Sequence, residues 1–370
     1  MTDRGEAFNP DWVSPPGDTI SDLLEEREWS QAELAQRLGY SPKHLNQLVK
    51  GKVPLSEDAA MRLERVLGST AGFWLAREAK YREKLARVEA EKRCADWLDW
   101  LDVLPVAELM KADAIPKSRI DSKTKPRIVE QLLQFFGVAS PDEWHSKYEA
   151  MQGSFRRSRT DQSDVGAITA WLRMGEREAE RLDGPRYDGK RFGASLVEIR
   201  SLTRYEPEVF GPQLHSICQS SGVALVLVPA IKRTHVSGVA RWLNPQRPLI
   251  QLSLYGKTND RFWFAFFHEA AHVLLHGRKA VFLDDPGRNF VQSSEESEAN
   301  DWAADFLVPK SHAIELRTLD KKDSVKAFAA RIGIHPGIVA GRLQHDGIIP
   351  INWMNDLKVS FELRGKSTAT

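Results

Sequence analysis

Three histidines and one glutamate interrupt the otherwise apolar run FFHEAAHVLLHG at residues 266–277. His268 and His272 are spaced i and i+4, so on a helix they project from one face and can hold one metal ion. Glu269 lies beside the first histidine, where its carboxylate can take a proton from a water at that metal. The spacing HExxH therefore predicts a hydrolytic zinc site, and histidines that merely pack in a core are the alternative.

A catalytic zinc ion usually takes three protein ligands and leaves its fourth position open, so a third ligand has to come from elsewhere. The segment SSEESEANDWAADFLVP, residues 293–309, has the composition of a helix and carries several acids. We predict that Glu296 is the third ligand and that Glu295 is its nearest rival. Glu298 points roughly 160° away from Glu296 on a helix with 3.6 residues per turn, which makes it a poorer candidate.

Asn300 and His276 are predicted to support the ligands through hydrogen bonds. Asn300 follows Glu296 by four residues, so the two share one face of a helix. A hydrogen-bond partner in such a position can orient a metal ligand. His276 comes four residues after His272 and is expected either to hydrogen-bond to a ligand or to pack beside the site.

The elements around these residues are predicted from hydrophobic pattern. Residues 260–276 lack Gly and Pro and are apolar nearly all round, which predicts a buried helix. Three β-rich runs at 222–229, 237–243 and 248–255 predict a small sheet just before it. An exposed edge strand of that sheet can hold an extended peptide, although the sheet can equally serve only to support the helix. Residues 283–294 are predicted to be a loop that covers the site or lies on the surface.

HEAAHVLLH followed by ESEANDWAADFLVP is similar to the pattern of the ImmA/IrrE family of zinc metallopeptidases. The resemblance implies a zincin-like fold, one zinc ion per chain and the hydrolysis of peptide bonds, typically in repressor proteins. It also implies that His268, His272 and Glu296 are the zinc ligands and that Glu269 is the base. Residues 333–347 and the strands before the motif resemble the long members of this family, which fuse the peptidase to a HigA-type head.

The first eighty residues contain a second pattern, in which capping residues separate two short helices. Ser30 and Glu33 form a capping-box signature at the start of one helix, and Gly39 can adopt the left-handed conformation that ends it. Ser41 then offers an N-cap for the next helix, with Pro42 at its first position. Two helices joined by a tight turn predict a helix-turn-helix motif.

The second of these helices is expected to present a polar, basic face to the major groove of DNA. Asn and Gln side chains can pair with adenine, and Lys side chains can contact phosphates or guanine. Residues 37–52 carry four Lys or Arg and no Asp or Glu, whereas the net charge of the whole chain is +1. A solvated polar face on an ordinary helical bundle is the alternative. The predicted DNA contacts are Lys43, His44, Asn46, Gln47, Lys50 and Lys52.

Residues 13–82 resemble the HigA-type antitoxin branch of the Xre/Cro helix-turn-helix repressors. The segments SQAELAQRLG, LSEDAAMRLERVLG and FWLAREAKY occur in the order found in that family. The resemblance implies a homodimer that binds double-stranded operator DNA and represses transcription.

The composition of the chain limits its class. It has 370 residues, of which 42% are hydrophobic, so it is long enough to form two or three cores. Its two cysteines are far apart, which argues against a disulfide framework and a thiolate zinc site. The polar first residues and the lack of an apolar stretch of about 18 residues predict a cytoplasmic protein without a membrane partner.

We expect a mainly α fold with a small β-sheet, that is, an α+β protein. Helices are predicted over 73–101, 125–152 and 164–202. The chain is expected to consist of a helix-turn-helix domain (1–82), a helical connector (83–205), a zincin-like metallopeptidase domain (206–358) and a C-terminal tail (359–370).

Together these features predict a DNA-binding transcriptional regulator that carries a zinc endopeptidase, active or latent. Its substrate is expected to be a partner repressor, an antitoxin or the chain itself, cleaved in response to a signal such as stress. The alternative is a type II antitoxin and autorepressor whose HEAAH domain mainly binds a toxin or another partner protein.

Overall fold

The structure, a computed structural model, is mainly helical with one small β-sheet, which confirms the predicted α+β class. The chain divides into two compact units: one is Met1–Leu98 with Lys125–Glu130, and the other is Asp99–Thr124 with Gln131–Thr370. The four-part division of the chain stays a prediction. The structure describes residues 14–148, 165–232, 234, 236–253, 258–276, 282–284 and 294–360.

The helices of the first unit follow the capping signals of the sequence. Ser30 Oγ accepts the backbone N–H of Glu33 at 3.1 Å, and Gly39 ends that helix with a φ of 71°. Ser41 caps the next helix in the same way. The Glu33 carboxylate binds Arg37 at 2.7 Å instead of the Ser30 backbone, so only half of the predicted capping box forms. The helices are α1 (Pro16–Glu26), α2 (Gln31–Leu38), α3 (Pro42–Val49), α4 (Glu57–Leu67) and α5 (Ala71–Asp96).

The core of the first unit holds the two helices of the motif in place. Leu45, Leu48 and Val49 of α3 are buried, as their spacing predicts. Trp74 of α5 is fully buried and donates its Nε1–H to the carbonyl of Gly68 at 3.1 Å. The apolar side of α3 therefore packs inward and its polar side lies at the surface.

The remainder of the described chain adds further helices and one sheet. No helix in the described ranges is both long enough and apolar enough to cross a membrane. The strands are β1 (Ala224–Leu227), β2 (Gly238–Asn244), β3 (Arg247–Leu252) and β4 (Phe282–Asp284). The helices are α6 (Val106–Lys111), α7 (Lys125–Phe136), α8 (141–148), α9 (Val165–Ala179), α10 (Gly189–Leu202), α11 (Pro207–Ser220), α12 (Asn259–Leu275), α13 (Ser294–Leu307), α14 (Ala313–Leu316), α15 (Lys322–Ile332) and α16 (Pro336–His345), with 3₁₀ turns at Leu98–Val103, Lys310–His312 and Asn355–Leu357.

The stretch 164–202, which is predicted to be helical, contains two helices. α9 ends at Ala179 and α10 begins at Gly189. Gly184 and Pro185 lie in the irregular segment between them. Proline lacks a backbone N–H and its ring disturbs the preceding helical turn, so this pair is a natural break. Residues 149–164, which include the end of the predicted helix over 125–152, lie outside the described residues.

The sheet has the strand order β1-β3-β2-β4. β1 pairs with β3 in parallel, whereas β2 is antiparallel to both β3 and β4. The prediction of three strands before the histidine helix is confirmed, but β4 was not predicted. Leu283 and Asp284 belong to β4 and pair with Val239 and Gly238, so the predicted loop over 283–294 is wrong at its start. Residues 285–293 lie outside the described part of the chain.

The two faces of the sheet pack against different helices because side chains alternate along a strand. Ala240, Ile250 and Leu252 join the apolar core that includes α12. The neighbouring positions point the other way, toward α9. There Arg241 donates to the carbonyl of Leu172 at 2.6 Å, and Gln251 Nε2 donates to a carbonyl of the same helix at 2.7 Å. The sheet is therefore a middle layer between α9 and α12.

Arg200 of α10 ties together the carboxyl ends of two other helices. Its Nε and Nη2 donate to the carbonyls of Phe306 and Leu307 at 2.9 and 2.7 Å. Its Nη1 donates to the carbonyl of Ile332 at 2.8 Å. The last carbonyls of a helix lack intrahelical partners, and a cation there also complements the helix dipole. Arg200 thus fixes the end of α13 and the end of α15.

We expect the substitution Arg200→Met to destabilise the protein by about 2–4 kcal/mol, because several carbonyls lose a charged donor. Urea denaturation of the full chain measures this loss. The control is Arg191→Met, which removes an exposed arginine from the same helix. Equal midpoints for the two variants would contradict the capping role of Arg200.

Candidate functional site

The histidine motif lies on a helix that is enclosed by apolar side chains. α12 packs against β2, β3, α13 and α16. Phe266, Phe267 and Ala270 are fully buried and belong to an apolar cluster around this helix. The predicted buried helix over 260–276 is therefore confirmed, with observed bounds Asn259–Leu275. Most of its apolar residues are buried, and His268, Glu269 and His272 are buried with them.

α13 approaches α12 closely enough for a carboxylate to reach the histidines. Ala299, Ala303 and Leu307 are buried at helical spacing along α13. The two alanines leave little side chain between the helix axes, and α13 packs along α12. This packing places Glu296 beside His268 and His272, which are 1% and 2% exposed.

The structure brings the three predicted ligands into one cluster. Nε2 of His268 lies 3.2 Å from one carboxylate oxygen of Glu296, and Nε2 of His272 lies 3.6 Å from the other. The two Nε2 atoms are 3.0 Å apart. One nitrogen from each histidine and the carboxylate thus converge on a single point. The role of these residues as ligands stays a prediction.

The spacing of the donor atoms fits zinc. Bonds of about 2.0–2.1 Å from a tetrahedral zinc ion to nitrogen and oxygen put neighbouring donors about 3.3 Å apart. The separation of the two Nε2 atoms, 3.0 Å, is close to that value, and distances of 3.2 and 3.6 Å join these nitrogens to two different oxygens of the Glu296 carboxylate. Two imidazole nitrogens and one carboxylate oxygen are also among the usual donors to this metal. Three donors leave one position of a tetrahedral ion open.

The protonation states of the cluster also suit a metal. Burial lowers the pKa of His272 to about 4, and this effect outweighs the nearby Glu296 carboxylate, which favours the protonated ring. Burial alone would raise the pKa of Glu296, but hydrogen bonds with His268 and His272 lower it to about 2. At neutral pH the His272 imidazole is neutral and the Glu296 carboxylate is ionised. Metal ligands need these forms, because a metal ion binds neutral imidazole and ionised carboxylate and competes with protons for both groups.

Glu269 is fully buried and lies against strand β2. A Cβ atom added to Gly238 would be 2.6 Å from Glu269 Oε1 and 2.9 Å from its Cγ. Any larger residue at this position would have to displace the Glu269 side chain. The sequence prediction missed Gly238, and its only signal is a glycine at the start of a β-rich run, which often marks a close approach.

Of the two residues predicted to support the ligands, His276 contacts a predicted ligand and, among the described residues, Asn300 does not. Nδ1 of His276 lies 2.8 Å from Nδ1 of His272, and Nε2 of His276 lies 3.2 Å from Glu298 Oε2. The Asn300 side chain makes no hydrogen bond to the three predicted ligands in the described part of the chain. Glu298, which the sequence rejected as a ligand, thus contacts the histidine that is predicted to support the ligands. The sequence prediction did not include this contact.

The predicted DNA contacts share the surface of α3 and the turn after it. Lys43, His44, Lys50 and Lys52 are exposed, whereas Asn46 and Gln47 are half-buried. Asn46 Nδ2 donates to Gln31 Oε1 on α2 at 3.4 Å, and the His44 ring packs edge-on against Tyr40. The sequence prediction did not include Gln31 beside the DNA contacts, although Gln31 lies in the first turn of α2, next to α3.

Comparison with known proteins finds a family match at two places in the chain. Residues 20–74 match a helix-turn-helix family, and residues 227–344 match a peptidase family described as IrrE N-terminal-like domain. A stretch of 60 residues is 35% identical to YddM of Escherichia coli strain K12, an uncharacterized HTH-type transcriptional regulator. That match covers 16% of this chain and 64% of the length of the curated relative. The chain therefore carries a helix-turn-helix domain followed by an IrrE-like domain, as the sequence predicted. Its place in the HigA-type branch stays a prediction.

We expect acid to destabilise the metal-free protein. The ordinary pKa of histidine is 6.5, so between pH 6.5 and about 4 the unfolded chain protonates His272 while the folded chain does not. The unfolded state then binds more protons, and the contribution of neutral His272 to stability is present above pH 6.5 and lost as the pH falls toward 4. Glu296 acts with the same sign between pH 4.5 and about 2.

Thermal unfolding followed by circular dichroism checks this prediction at pH 7 and pH 5, a range in which Glu296 stays ionised in the folded state and mostly ionised in the unfolded state. The Tm of the metal-free wild type should fall more over this range than the Tm of His272→Gln, which lacks the titrating ring. Equal falls would show that His272 does not govern the acid sensitivity.

Proposed function

We propose that this chain is a DNA-binding transcriptional regulator whose IrrE-like domain is a zinc-dependent endopeptidase. The observation that carries the proposal is the cluster of the buried His268 and His272 with the partly buried Glu296, with Glu269 beside the first histidine on the same helix. The match to a peptidase family supports it, since residues 227–344 include both helices that form the cluster. The substrate is a specific regulatory protein, cleaved in response to a signal.

The ligand set favours catalysis over a structural metal. A structural zinc site is closed by four protein ligands, whereas His268, His272 and Glu296 supply three. The described residues contain no further His, Cys, Asp or Glu in this cluster. When bound here, zinc supplies a Lewis acid that polarises the scissile carbonyl and makes water more acidic.

Glu269 supplies the proton transfers of the reaction. Its carboxylate accepts a proton from the attacking water and then delivers that proton to the amine that leaves when the peptide bond breaks. Burial between α12 and Gly238 of β2 holds the carboxylate in one place. A fixed base avoids the cost of ordering a mobile side chain during the reaction.

The edge of the sheet is suited to an extended substrate. β4 pairs with β2 on one side and, within the described ranges, with no strand on the other. Its outer edge therefore offers backbone N–H and C=O groups to an added strand. Asp284 of β4 pairs with Gly238, the residue that contacts Glu269. We propose that a peptide bound along β4 passes close to the base.

The helix-turn-helix domain directs this activity to DNA. We propose that it binds operator DNA as a homodimer, because regulators of this kind read two half-sites related by symmetry. The protein that is cleaved is then a repressor or antitoxin bound at the same operator, or the chain itself.

A second candidate function is a type II antitoxin and autorepressor whose IrrE-like domain binds a toxin without cleaving it. The HigA-type character of residues 13–82 favours this function. It requires DNA binding and a partner protein but neither bound zinc nor an active Glu269, so the two functions differ in what the metal cluster must do.

Metal content and cleavage test the peptidase together. Elemental mass spectrometry of protein purified without a metal-affinity tag should give about one zinc per wild-type chain. His272→Ala and Glu296→Ala should lose it, because each removes a donor. Glu269→Gln should keep zinc and lose cleavage by about 10²–10⁴-fold, because it removes only the base. Cleavage is measured as new protein N-termini in extracts of the source cells.

Glu295→Ala is the matched control, since Glu295 neighbours Glu296 but lies outside the cluster. It should keep both zinc and cleavage. A wild-type chain that takes up no zinc even when zinc is supplied would overturn the peptidase and favour the antitoxin. New N-termini that persist with Glu269→Gln would overturn the role of Glu269.

DNA binding is tested at α3 by fluorescence anisotropy on a duplex that the wild-type protein selects from a random pool. Lys50→Ala should weaken binding to all sequences and lower the salt slope by about 1, as expected when one phosphate contact is lost. Gln47→Ala should cost about 1–3 kcal/mol and relax the preference at one base. Lys92→Ala on α5 is the exposed control and should bind normally. Equal losses in all three variants would contradict the assignment of α3.

A further inference from the structure

Two residues outside the ligand cluster form a hydrogen-bonded chain that ends on one of its histidines. Nδ1 of His272 contacts Nδ1 of His276 at 2.8 Å. Nε2 of His276 contacts Glu298 Oε2 at 3.2 Å. The order of groups is thus Glu298, His276, His272, and the last of these faces His268 and Glu296.

One arrangement of protons satisfies both contacts between Glu298, His276 and His272. The Nε2 atom of His272 is the one that faces the cluster, so its lone pair is the one offered to a metal. A neutral ring then carries its proton on Nδ1 and donates to Nδ1 of His276. That ring in turn carries its proton on Nε2 and donates to the carboxylate of Glu298. An ionised carboxylate can only accept, so the chain runs in this one direction.

The end of α12 makes the contact possible. His276 is the residue at which the helix stops, and its backbone is extended, with φ −108° and ψ 162°. Its N–H still donates to the carbonyl of His272 at 3.2 Å, which keeps the two residues together. The His276 side chain is 5% exposed, whereas Glu298 is 62% exposed. A buried imidazole therefore connects the cluster to a carboxylate at the surface.

We propose that His276 and Glu298 are positioning residues that act in series to fix the tautomer and orientation of His272 and so raise the affinity for zinc. This inference rests on the proposed function, because it takes zinc as the metal. A hydrogen-bonded partner on the far nitrogen makes a histidine a better ligand, and loss of such a partner typically weakens metal binding by about 10–100-fold.

The series arrangement has a consequence that separates it from a simple charge effect. Glu298 reaches His272 only through His276, so removal of Glu298 has no further effect once His276 is gone. A carboxylate that acted on the metal through space would instead weaken binding by the same factor in both backgrounds. A double-mutant cycle distinguishes these two cases.

The experiment is competition for zinc between the full-length protein and a chromophoric chelator at neutral pH. His276→Ala should weaken zinc binding by about tenfold or more, and Glu298→Ala should weaken it by a smaller, measurable factor. The double variant should bind zinc as His276→Ala does. His276→Gln should recover most of the affinity, because its amide oxygen can accept from His272 and its NH₂ group can donate to Glu298.

Asp301→Ala is the matched control, because it removes an exposed acid from the same helix. It should bind zinc as the wild type does, and circular dichroism of the zinc-free variants shows whether each is folded. Unchanged affinity in Glu298→Ala, equal effects of Glu298→Ala in both backgrounds, or no recovery in His276→Gln would each overturn this inference alone. A wild-type chain that binds no zinc would overturn the proposed function and this inference together.

Discussion

The structure of the second unit depends on how it buries polar side chains inside an apolar helix. His268, Glu269 and His272 are almost wholly enclosed, and burying such groups without partners is costly. Glu296 of α13 gives the two histidines a common partner, and strand β2 receives Glu269 at Gly238. The buried polar residues of α12 therefore require both the close approach of α13 and a glycine at position 238 of β2.

The elements around α12 have two roles: some support the helix, and one strand of the sheet has a free edge among the described residues. One face of the sheet packs on α12, while the other is bound to α9 through Arg241 and Gln251. Arg200 fixes the far end of the helix that carries Glu296. These contacts support the helix and the sheet that carry the base and the predicted ligands. Strand β4, which pairs with the strand that contacts the base, lies at the edge of the sheet, where another chain can pair with it.

The distribution of charge separates the two kinds of chemistry in this protein. The whole chain has a net charge of only +1, yet residues 37–52 carry four basic and no acidic side chains. A local positive field of this kind attracts DNA phosphates, whereas the rest of the protein has no excess positive charge that would bind nucleic acid non-specifically. The predicted metal cluster, in contrast, contains the neutral His272 imidazole and the ionised Glu296 carboxylate, both largely shielded from solvent. DNA binding therefore depends on exposed charge, and the proposed hydrolysis depends on charge that is buried and paired.

The sequence by itself determined what depends on spacing along one helix. The i, i+4 pair His268 and His272 and the caps at Ser30 and Ser41 were predicted because helical geometry repeats every 3.6 residues. Only the tertiary structure decided the contacts between distant segments. The three-residue strand β4 forms because β2 is beside it, and Gly238 matters because Glu269 packs there. Glu298 points away from Glu296 on its own helix and still reaches His276 on another, and no pattern within one helix contains that contact.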